Sequence, residues 1–307
     1  MSGIQVLLVA GTHGNEINAP WLFEQWKQKD SLINTHNINI QTVIGNPVAL
    51  EQGKRYVDRD LNRSFRKDLL VSSDLNAAEH FRALELVSEY GPNGNNPCQI
   101  AIDFHSTTSS MGSSLVVYGR RPADLAIVSL IQNHLGLPIY LHEGDNAQSG
   151  FLVESWPCGF VVEVGPVPQG LLHFQIINQT LLTLDSCLKE ISNVINSKTV
   201  YPEQLIVHRH LKNIDFPRDS SGVPSSLVHG DNPGRDWYPI KNGHPLFESL
   251  SGDLTLLLEG GLEEEFVPVF INEAAYAEKN IAMSLTKKEM WDVQKDWIND
   301  LSKLLNP

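Results

Sequence analysis

Short apolar runs recur through the first two thirds of the chain and predict buried strands. The first run, at residues 6–10, is followed by Gly11. A continuous apolar run that ends at glycine is typical of a strand buried on both faces of a mostly parallel sheet. Further segments of strand length predict strands at residues 38–44, 100–104, 115–118 and 160–166.

Segments with apolar residues at helical spacing alternate with these strands. They predict helices at residues 19–29, 74–90, 123–135 and 171–195. Asp74 is the expected N-cap of the second helix, whose apolar side comprises Ala77, Phe81, Leu84 and Val87. Because strands and helices alternate, we expect an α/β domain with a parallel sheet of roughly 200 residues.

The pattern changes near residue 199. Glycine, proline and aspartate turns separate short strand-like pieces at residues 204–211, 226–228, 254–258 and 266–270. Residues 285–305 have an amphipathic pattern that favours a helix. The sequence therefore predicts two domains, an α/β domain at residues 1–198 and a smaller β-rich domain with a C-terminal helix at residues 199–307.

Composition narrows the classes of partner and compartment. A net charge of −13 argues against nucleic acid as a partner, because phosphate binding needs a basic surface. We find no apolar run of about 18 residues and no signal peptide, so we expect a cytoplasmic protein without membrane insertion. The three scattered cysteines, Cys98, Cys158 and Cys187, favour buried thiols in a reducing compartment over disulfides.

Histidines and carboxylates follow or interrupt three of the predicted strands. His13 and Glu16 follow the first strand, His105 ends another, and Glu163 lies within a later run of valines. Ligands of open α/β sheets gather beyond the carboxyl ends of the strands. Two histidines and one carboxylate make a catalytic zinc set that leaves a fourth position for water. Taken singly, a histidine at a strand end is more often a hydrogen-bonded loop residue than a ligand, so the prediction rests on the convergence of these residues.

Glu163 is the expected general base. An unpaired glutamate among valines would cost several kcal/mol, so it needs a partner or a task. A carboxylate beside activated water can take its proton and pass it to a leaving amine.

A charged loop at residues 55–65 offers groups for binding an anion. Arg55 could polarise a carbonyl, while Asn62 and Arg63 suit a substrate carboxylate. The alternative is a solvated loop with local ion pairs. His208 and His210, two residues apart on a predicted strand, form a second conceivable metal pair, which we disfavour because no third ligand accompanies it.

Five motifs in order along the chain resemble those of the aspartoacylase family. They are Gly11-Thr12-His13-Gly14-Asn15-Glu16, Asp60-Leu61-Asn62-Arg63-Ser64-Phe65, Asp103-Phe104-His105-Ser106-Thr107-Thr108, Glu163-Val164-Gly165-Pro166 and Asn272-Glu273-Ala274-Ala275-Tyr276. The chain is also similar, more distantly, to succinylglutamate desuccinylase and the zinc carboxypeptidases. The likeness extends from near residue 4 to near residue 280.

The resemblance implies a fold, a cofactor and a set of roles. The fold is a carboxypeptidase-like α/β/α sandwich with a β-rich C-terminal domain over the active-site cleft. One zinc ion per subunit is held by His13, Glu16 and His105. Glu163 acts as base and then acid, and Arg55 polarises the scissile carbonyl. A dimer is a further implication.

The substrate-binding residues follow the family only in part. The resemblance implies that Asn62 and Arg63 bind a carboxylate and that Tyr276 reaches in from the second domain. Aspartoacylases also supply an arginine and a tyrosine shortly before the catalytic glutamate. Residues 144–151 of this chain contain neither.

These observations predict a zinc-dependent amidohydrolase that converts an N-acyl-L-amino acid to a carboxylate and a free amino acid. N-acetyl-L-aspartate is the leading substrate. One alternative on the same scaffold is a deacylase of other N-acyl amino acids or a desuccinylase. An alternative of another class is a small-molecule-binding protein without turnover, although such a protein would have no need of Glu163 in a valine strand.

Overall fold

A ten-stranded sheet connects the two halves of the chain in the computed structural model, which describes residues 4–72, 76–145, 148–261 and 263–306. The strands are β1 Gln5–Ala10, β2 Asn39–Ile44, β3 Ile100–Ser106, β4 Ser113–Tyr118, β5 Ile139–His142, β6 Cys158–Val164, β7 Gln204–Ile214, β8 Leu227–Val228, β9 Ile240–Lys241, β10 Pro245–Glu248, β11 Leu254–Leu256, β12 Glu265–Val269 and β13 Met283–Asp292. The order in the large sheet is β2-β1-β3-β6-β4-β5-β7-β13-β12-β9, and β11-β10-β8 form a small second sheet.

The helices follow the predicted alternation. They are α1 Asn18–Gln28, α2 Pro47–Glu51, α3 Lys67–Leu70, α4 Ala78–Tyr90, α5 Pro122–Leu135, α6 Phe174–Ile195 and α7 Lys295–Leu305, and 3₁₀ turns occur at Asp30–Leu32, Leu61–Arg63, Leu152–Ser155 and Ala274–Lys279. Among the described residues, none of these helices combines the length and apolarity needed to span a membrane.

Two apolar layers cover the N-terminal part of the sheet. Val6 and Leu8 of β1 pack with α1, α5, α6 and α7 on one face, whereas Leu7 and Val9 pack with α4 and the loops on the other. This alternation follows from the two-residue period of a strand, which buries both faces of a central strand. The result is a three-layer α/β/α sandwich followed by a smaller β-rich region.

Strand direction brings the candidate site together. Strands β2, β1, β3 and β6 are mutually parallel, so their carboxyl ends lie at one edge. Strand β4 is antiparallel to β6, which makes the sheet mixed. Strand β7 pairs with β5, so the sheet is continuous across the predicted domain boundary near residue 198.

The predicted helix at residues 285–305 is wrong in its first half. Residues 283–292 form β13, which pairs with β7 along its whole length, and only α7 is helical. The second half of β13 alternates between half-buried and exposed positions, which is a strand period. Residues 283–292 form a strand because they pair with the free edge of β7. This long-range pairing is not visible in the local sequence pattern.

The buried face of α4 also differs from the predicted one. Phe81 is 55% exposed, while Glu79, His80, Ala83 and Leu86 are buried. Polar contacts of Glu79, described below, set this orientation. The predicted N-cap Asp74 lies outside the described residues. The prediction of buried thiols is confirmed, because all three cysteines are buried and unpaired.

Candidate active site

The carboxyl ends of β1, β3 and β6 place the predicted metal ligands in one pocket. His105 lies on β3 directly opposite Glu163 of β6, and the turn after β1 carries His13 and Glu16. Gly14 permits this turn, because a Cβ there would lie 2.1 Å from the backbone carbonyl carbon of Ala49. Sequence analysis assigned four side chains to catalysis and zinc binding, and all four line this pocket: His13, Glu16, His105 and Glu163.

The three candidate ligands are buried and mutually close. Nδ1 of His13 lies 2.7 Å from Oε1 of Glu16, and Nδ1 of His105 lies 2.9 Å from Oε2 of the same carboxylate. One ligand atom from each residue lies within 4.8 Å of the other two. Two imidazole nitrogens and a carboxylate oxygen are ligands that zinc prefers. The donor set and its spacing therefore fit a zinc ion.

The opposite nitrogen of each imidazole contacts a second carboxylate. Nε2 of His13 lies 3.0 Å from Asp60, and Nε2 of His105 lies 2.8 Å from Asp103. Such contacts orient metal-binding histidines and favour the tautomer whose other nitrogen is free to bind a metal. Sequence analysis missed both roles. A signal existed for Asp103, because a residue two before His105 on one strand shares its face.

Charge complementarity sets the protonation of Glu16. Burial by itself would raise its pKa, but the adjacent imidazoles of His13 and His105 lower it well below its ordinary value. Glu16 is therefore an anion at neutral pH, as a metal ligand must be.

Arg55 lies beside this cluster. Its guanidinium donates to Glu16 (3.4 Å) and to Asp60 (3.3 Å), and its Nε has no hydrogen-bond partner among the described residues. A buried guanidinium with an unused donor can still bind an oxygen that enters the pocket.

Glu163 lines the same pocket as Arg55 and the ligand candidates. Burial raises its pKa to about 8, and the charges of Glu16 and Glu273 add to this against the opposing effect of His105. The carboxyl group therefore has a proton affinity suited to exchanging protons near neutral pH.

Asn62 and Arg63 also line this pocket. Arg63 donates to Oε1 of Gln148 (2.6 Å), and its guanidinium stacks 4.1 Å from the ring centre of Phe151. Phe151 in turn stacks on Tyr118, with ring centres 3.7 Å apart. Arg63 is thus held in place by neutral groups, an arrangement that sequence analysis did not predict.

Glu79 of α4 holds the backbone of the loop at residues 55–65, which carries Arg55, Asn62 and Arg63. Its carboxylate accepts hydrogen bonds from the backbone N–H groups of Val57 (2.6 Å), Asp58 (3.0 Å) and Arg59 (3.1 Å) and from the amide of Asn46 (2.9 Å). The loop at residues 55–65 is therefore ordered by a buried anion and is not the solvated loop of the alternative interpretation.

The C-terminal part of the chain completes the pocket with Tyr276. This side chain lies in the 3₁₀ turn Ala274–Lys279 and lines the pocket with Phe270. Glu273, which sequence analysis assigned no role, accepts backbone hydrogen bonds from Thr108 (2.7 Å) and Ser109 (3.1 Å) just after β3. The turn that carries Tyr276 is thereby attached to the strand that carries His105.

His208 and His210 lie away from this pocket. Nδ1 of His210 lies 2.9 Å from the hydroxyl oxygen of Tyr140. The ring of His208 packs against Trp237, with ring centres 4.9 Å apart. Among the described residues, neither histidine belongs to a group of three candidate metal ligands. The described part of the chain therefore does not favour a second metal site at these histidines.

Comparison with known proteins is consistent with this geometry. The sequence profile of the succinylglutamate desuccinylase/aspartoacylase catalytic domain matches residues 2–191, and that of the AstE/AspA barrel-sandwich hybrid domain matches residues 203–288. The chain belongs to this family. The fold class predicted from the sequence is confirmed.

Relatives match over nearly the whole chain. A probable aspartoacylase of Prochlorococcus marinus is 99% identical over 307 residues, which is 100% of both chains. The crystal structure of murine aminoacylase 3 is similar with a TM-score of 0.84 and 30% identity, covering 94% of this chain and 97% of that one. Succinylglutamate desuccinylase of Chromobacterium violaceum shares the fold, with a TM-score of 0.62, 16% identity and coverage of 94% and 85%.

Proposed function

We propose that this member of the family is a zinc-dependent hydrolase that cleaves the amide bond of N-acyl-L-amino acids, with N-acetyl-L-aspartate as the leading substrate. The observation that carries the proposal is the convergence of His13, Glu16 and His105 beside Glu163 in one pocket. Relatives named as probable aspartoacylases, and structural neighbours named as an aminoacylase and a desuccinylase, support the reaction class.

His13, Glu16 and His105 would hold the zinc ion. When bound, zinc supplies Lewis acidity at a carbonyl oxygen and lowers the pKa of water to about 7. The carboxylates of Asp60 and Asp103 would keep the two imidazoles in the orientation that this binding needs.

Glu163 would move the proton in both halves of the reaction. As a carboxylate it would take a proton from the attacking water, and as an acid it would give that proton to the departing nitrogen. Arg55 would donate to the oxygen of the scissile carbonyl as negative charge develops there, through donors already fixed beside Glu16.

Asn62, Arg63 and Tyr276 would bind the substrate. A guanidinium can hold a carboxylate through two parallel hydrogen bonds. Phe151 and Gln148 orient that guanidinium before any substrate arrives, which lowers the entropy lost on binding.

A deacylase of other N-acyl amino acids is the second candidate. Residues 144–151 contain neither arginine nor tyrosine. The wall beside Arg63 is instead the stacked pair of Tyr118 and Phe151. An apolar or aromatic side chain would find a favourable surface there, whereas the side-chain carboxylate of aspartate would have to share Arg63.

A substrate panel tests the proposal. The purified protein is assayed for amine release from N-acetyl-L-aspartate, N-succinyl-L-glutamate, N-acetyl-L-phenylalanine and N-acetyl-L-methionine. We expect turnover of at least one compound, its loss on chelation, and its recovery when zinc is added. Tight binding without turnover in the zinc-loaded protein would instead identify a binding protein.

A further inference from the structure

A second cavity lies directly beside the catalytic pocket and shares Arg63 with it. This outer cavity has a volume of about 550 Å³, compared with about 50 Å³ for the catalytic pocket. Among the described residues, its lining includes the cations Arg59, Arg63, Arg66 and Lys279 and one carboxylate, Asp145. Cations therefore dominate this cavity in a chain whose net charge is −13.

Two of these cations have carboxylate partners. Arg66 donates to both oxygens of Asp68 (3.0 and 2.7 Å), and Lys279 donates to Asp60 at 3.2 Å. Arg66 thus has a carboxylate of its own, whereas Lys279 shares Asp60 with Arg55.

Arg59 and Arg63 differ from the paired cations. Among the described residues, neither forms an ion pair with a carboxylate. Arg59 makes one long contact to the carbonyl of Arg63 (3.4 Å), and Arg63 donates to the amide oxygen of Gln148 and the carbonyl of Asn62. Most other guanidinium groups of the described residues have carboxylate partners, as in Arg120 with Glu143 and Arg218 with Asp215. The exception is Arg235, which donates to the carbonyl of Asp231 and stacks on Tyr238 outside this cavity.

The crowding of positive charge also affects Lys279. Burial lowers its pKa to about 8, and the charge of Arg63 contributes to this shift while Asp60 opposes it. Like charges that line one cavity repel one another and are stabilised by an anion placed between them.

We propose that the outer cavity is an anion-capture site that holds a carboxylate of an acidic substrate as it enters the catalytic pocket. Among the described residues, Arg59 is the cation that lines only the outer cavity and has no carboxylate partner, and Arg63 is shared between the two cavities. The inference rests on the proposed hydrolase function and adds a second anion-binding position to it. The ligand class is small compounds that carry two or more carboxylates.

Matched acid and amide substrates test the kinetic consequence. We compare kcat and KM for N-acetyl-L-aspartate with N-acetyl-L-asparagine, and for N-acetyl-L-glutamate with N-acetyl-L-glutamine, in wild type and Arg59→Gln. Loss of a charge-assisted contact should lower the acid-to-amide ratio of kcat/KM about tenfold, mainly through KM. Arg59→Lys, which keeps the charge, should restore most of the ratio.

A charge control separates this site from the general field of the protein. Lys189 lies on the exposed side of α6, and Lys189→Gln removes one positive charge as Arg59→Gln does. The ratio should stay at the wild-type value in Lys189→Gln. An equal fall in both variants, or no fall in Arg59→Gln, would overturn the proposal.

A binding measurement distinguishes failure of this inference from failure of the proposed function. Calorimetric titration of the zinc-loaded protein with succinate and with inorganic phosphate needs no turnover. We expect succinate to bind wild type several-fold more tightly than Arg59→Gln. Equal affinities would reject the capture site even in an active enzyme. Preferential binding of phosphate would identify a site for free inorganic anions and contradict the carboxylate assignment.

Discussion

Glu163 occupies a position where a strand residue faces a polar pocket, although its neighbours on β6 are apolar. Its raised pKa follows mainly from burial, so the group is poised to accept and release a proton near neutral pH. Its residue type and place in the valine run were readable from the sequence. Its distance from His105 was not, because that distance depends on the pairing of β3 with β6.

Replacing Glu163 tests the role of proton transfer. We expect Glu163→Gln to lower kcat by about 10²–10⁴-fold, because the amide cannot accept the proton from water. Zinc content and thermal unfolding temperature should stay near wild type, since the shape is conserved. Metal analysis, calorimetry and steady-state kinetics on the same preparation check this. Unchanged kcat would remove Glu163 from the mechanism.

Replacing Asp103 tests the orientation of His105. In Asp103→Asn the side-chain amide can donate to Nε2 of His105, which moves the ring proton to Nδ1 and removes its lone pair. We expect zinc affinity to fall by about 10–100-fold in a competition assay with a chromophoric chelator.

Thr12 offers a matched control for this substitution. Its hydroxyl donates to Asp103 at 2.8 Å, and Thr12→Ser keeps that hydroxyl. Zinc affinity should be nearly unchanged in Thr12→Ser. If Asp103→Asn also binds zinc as tightly as wild type, the carboxylate does not set the tautomer.

At the scale of elements, apolar periodicity predicted the wrong buried face for α4 and a helix in place of β13. In both elements, polar contacts with distant segments account for the observed structure. Helix α4 turns Glu79 inward because the backbone of the loop at residues 57–59 needs an acceptor, and Phe81 is consequently exposed. Strand β13 replaces a predicted helix because β7 offers it backbone partners from Met283 to Asp292, with one register shift between Leu285 and Thr286. In both cases a long-range partner outweighed the local pattern.

Replacing Glu79 tests whether α4 supports the active-site loop. In Glu79→Gln the amide N–H₂ group would face backbone donors, so we expect unfolding free energy to fall by about 1–3 kcal/mol. KM should rise, because Arg55 and Arg63 are carried by the loop that loses its anchor. Burial opposes the charge of Glu79, but hydrogen bonds from the loop backbone and Asn46 outweigh it and lower the pKa in the fold. The contribution of Glu79 to folding stability is therefore present above pH 4.5 and is lost as pH falls below that value.

Glu85 supplies the control on the same helix. It is exposed and pairs with Arg82 at 2.7 Å. Urea denaturation and KM should both be nearly unaffected by Glu85→Gln. Equal behaviour of the two variants would show that Glu79 does not order the loop.

At the scale of the whole molecule, the pairing of β5 with β7 connects the α/β layers to the β-rich region. Three buried histidines line this junction, His142 on β5 and His208 and His210 on β7. Burial lowers the pKa of His142 and His208 to about 4 and also lowers that of His210. These groups are neutral in the folded protein at neutral pH.

The contribution of these histidines should make the folded protein less stable in acid. Since the folded pKa values lie below the unfolded value near 6.5, stability is fully present above pH 6.5 and is lost as pH falls from 6.5 toward 4. At pH 5.5 we expect His142 and His208 each to cost about 1 kcal/mol relative to pH 7.5. Urea denaturation at both pH values, with chelator present throughout, measures the loss.

His208→Gln isolates one of these contributions. The variant loses the packing of the ring on Trp237 at both pH values, but it has no titrating group. The difference in stability between pH 7.5 and pH 5.5 should therefore be about 1 kcal/mol smaller than in wild type. An identical difference in the two proteins would show that His208 does not contribute to acid instability.

The sequence by itself determined the types of local structure and the chemistry of the ligands. Apolar runs and helical spacing depend on near neighbours, so β1, β3, β6, α5 and α6 were predicted close to their observed bounds. The positions of His13, Glu16, His105 and Glu163 at or near strand ends also predicted that they form one site, because parallel strands end at a common edge.

Only the tertiary structure decided which groups meet. Asp60 beside His13, Gln148 beside Arg63 and Glu273 beside Thr108 join residues 47, 85 and 165 positions apart. The outer cavity and the buried face of α4 also depend on contacts between segments that are distant in sequence. Contacts between distant segments depend on chain topology and on which polar groups must be satisfied on burial, and neither leaves a periodic signal in the sequence.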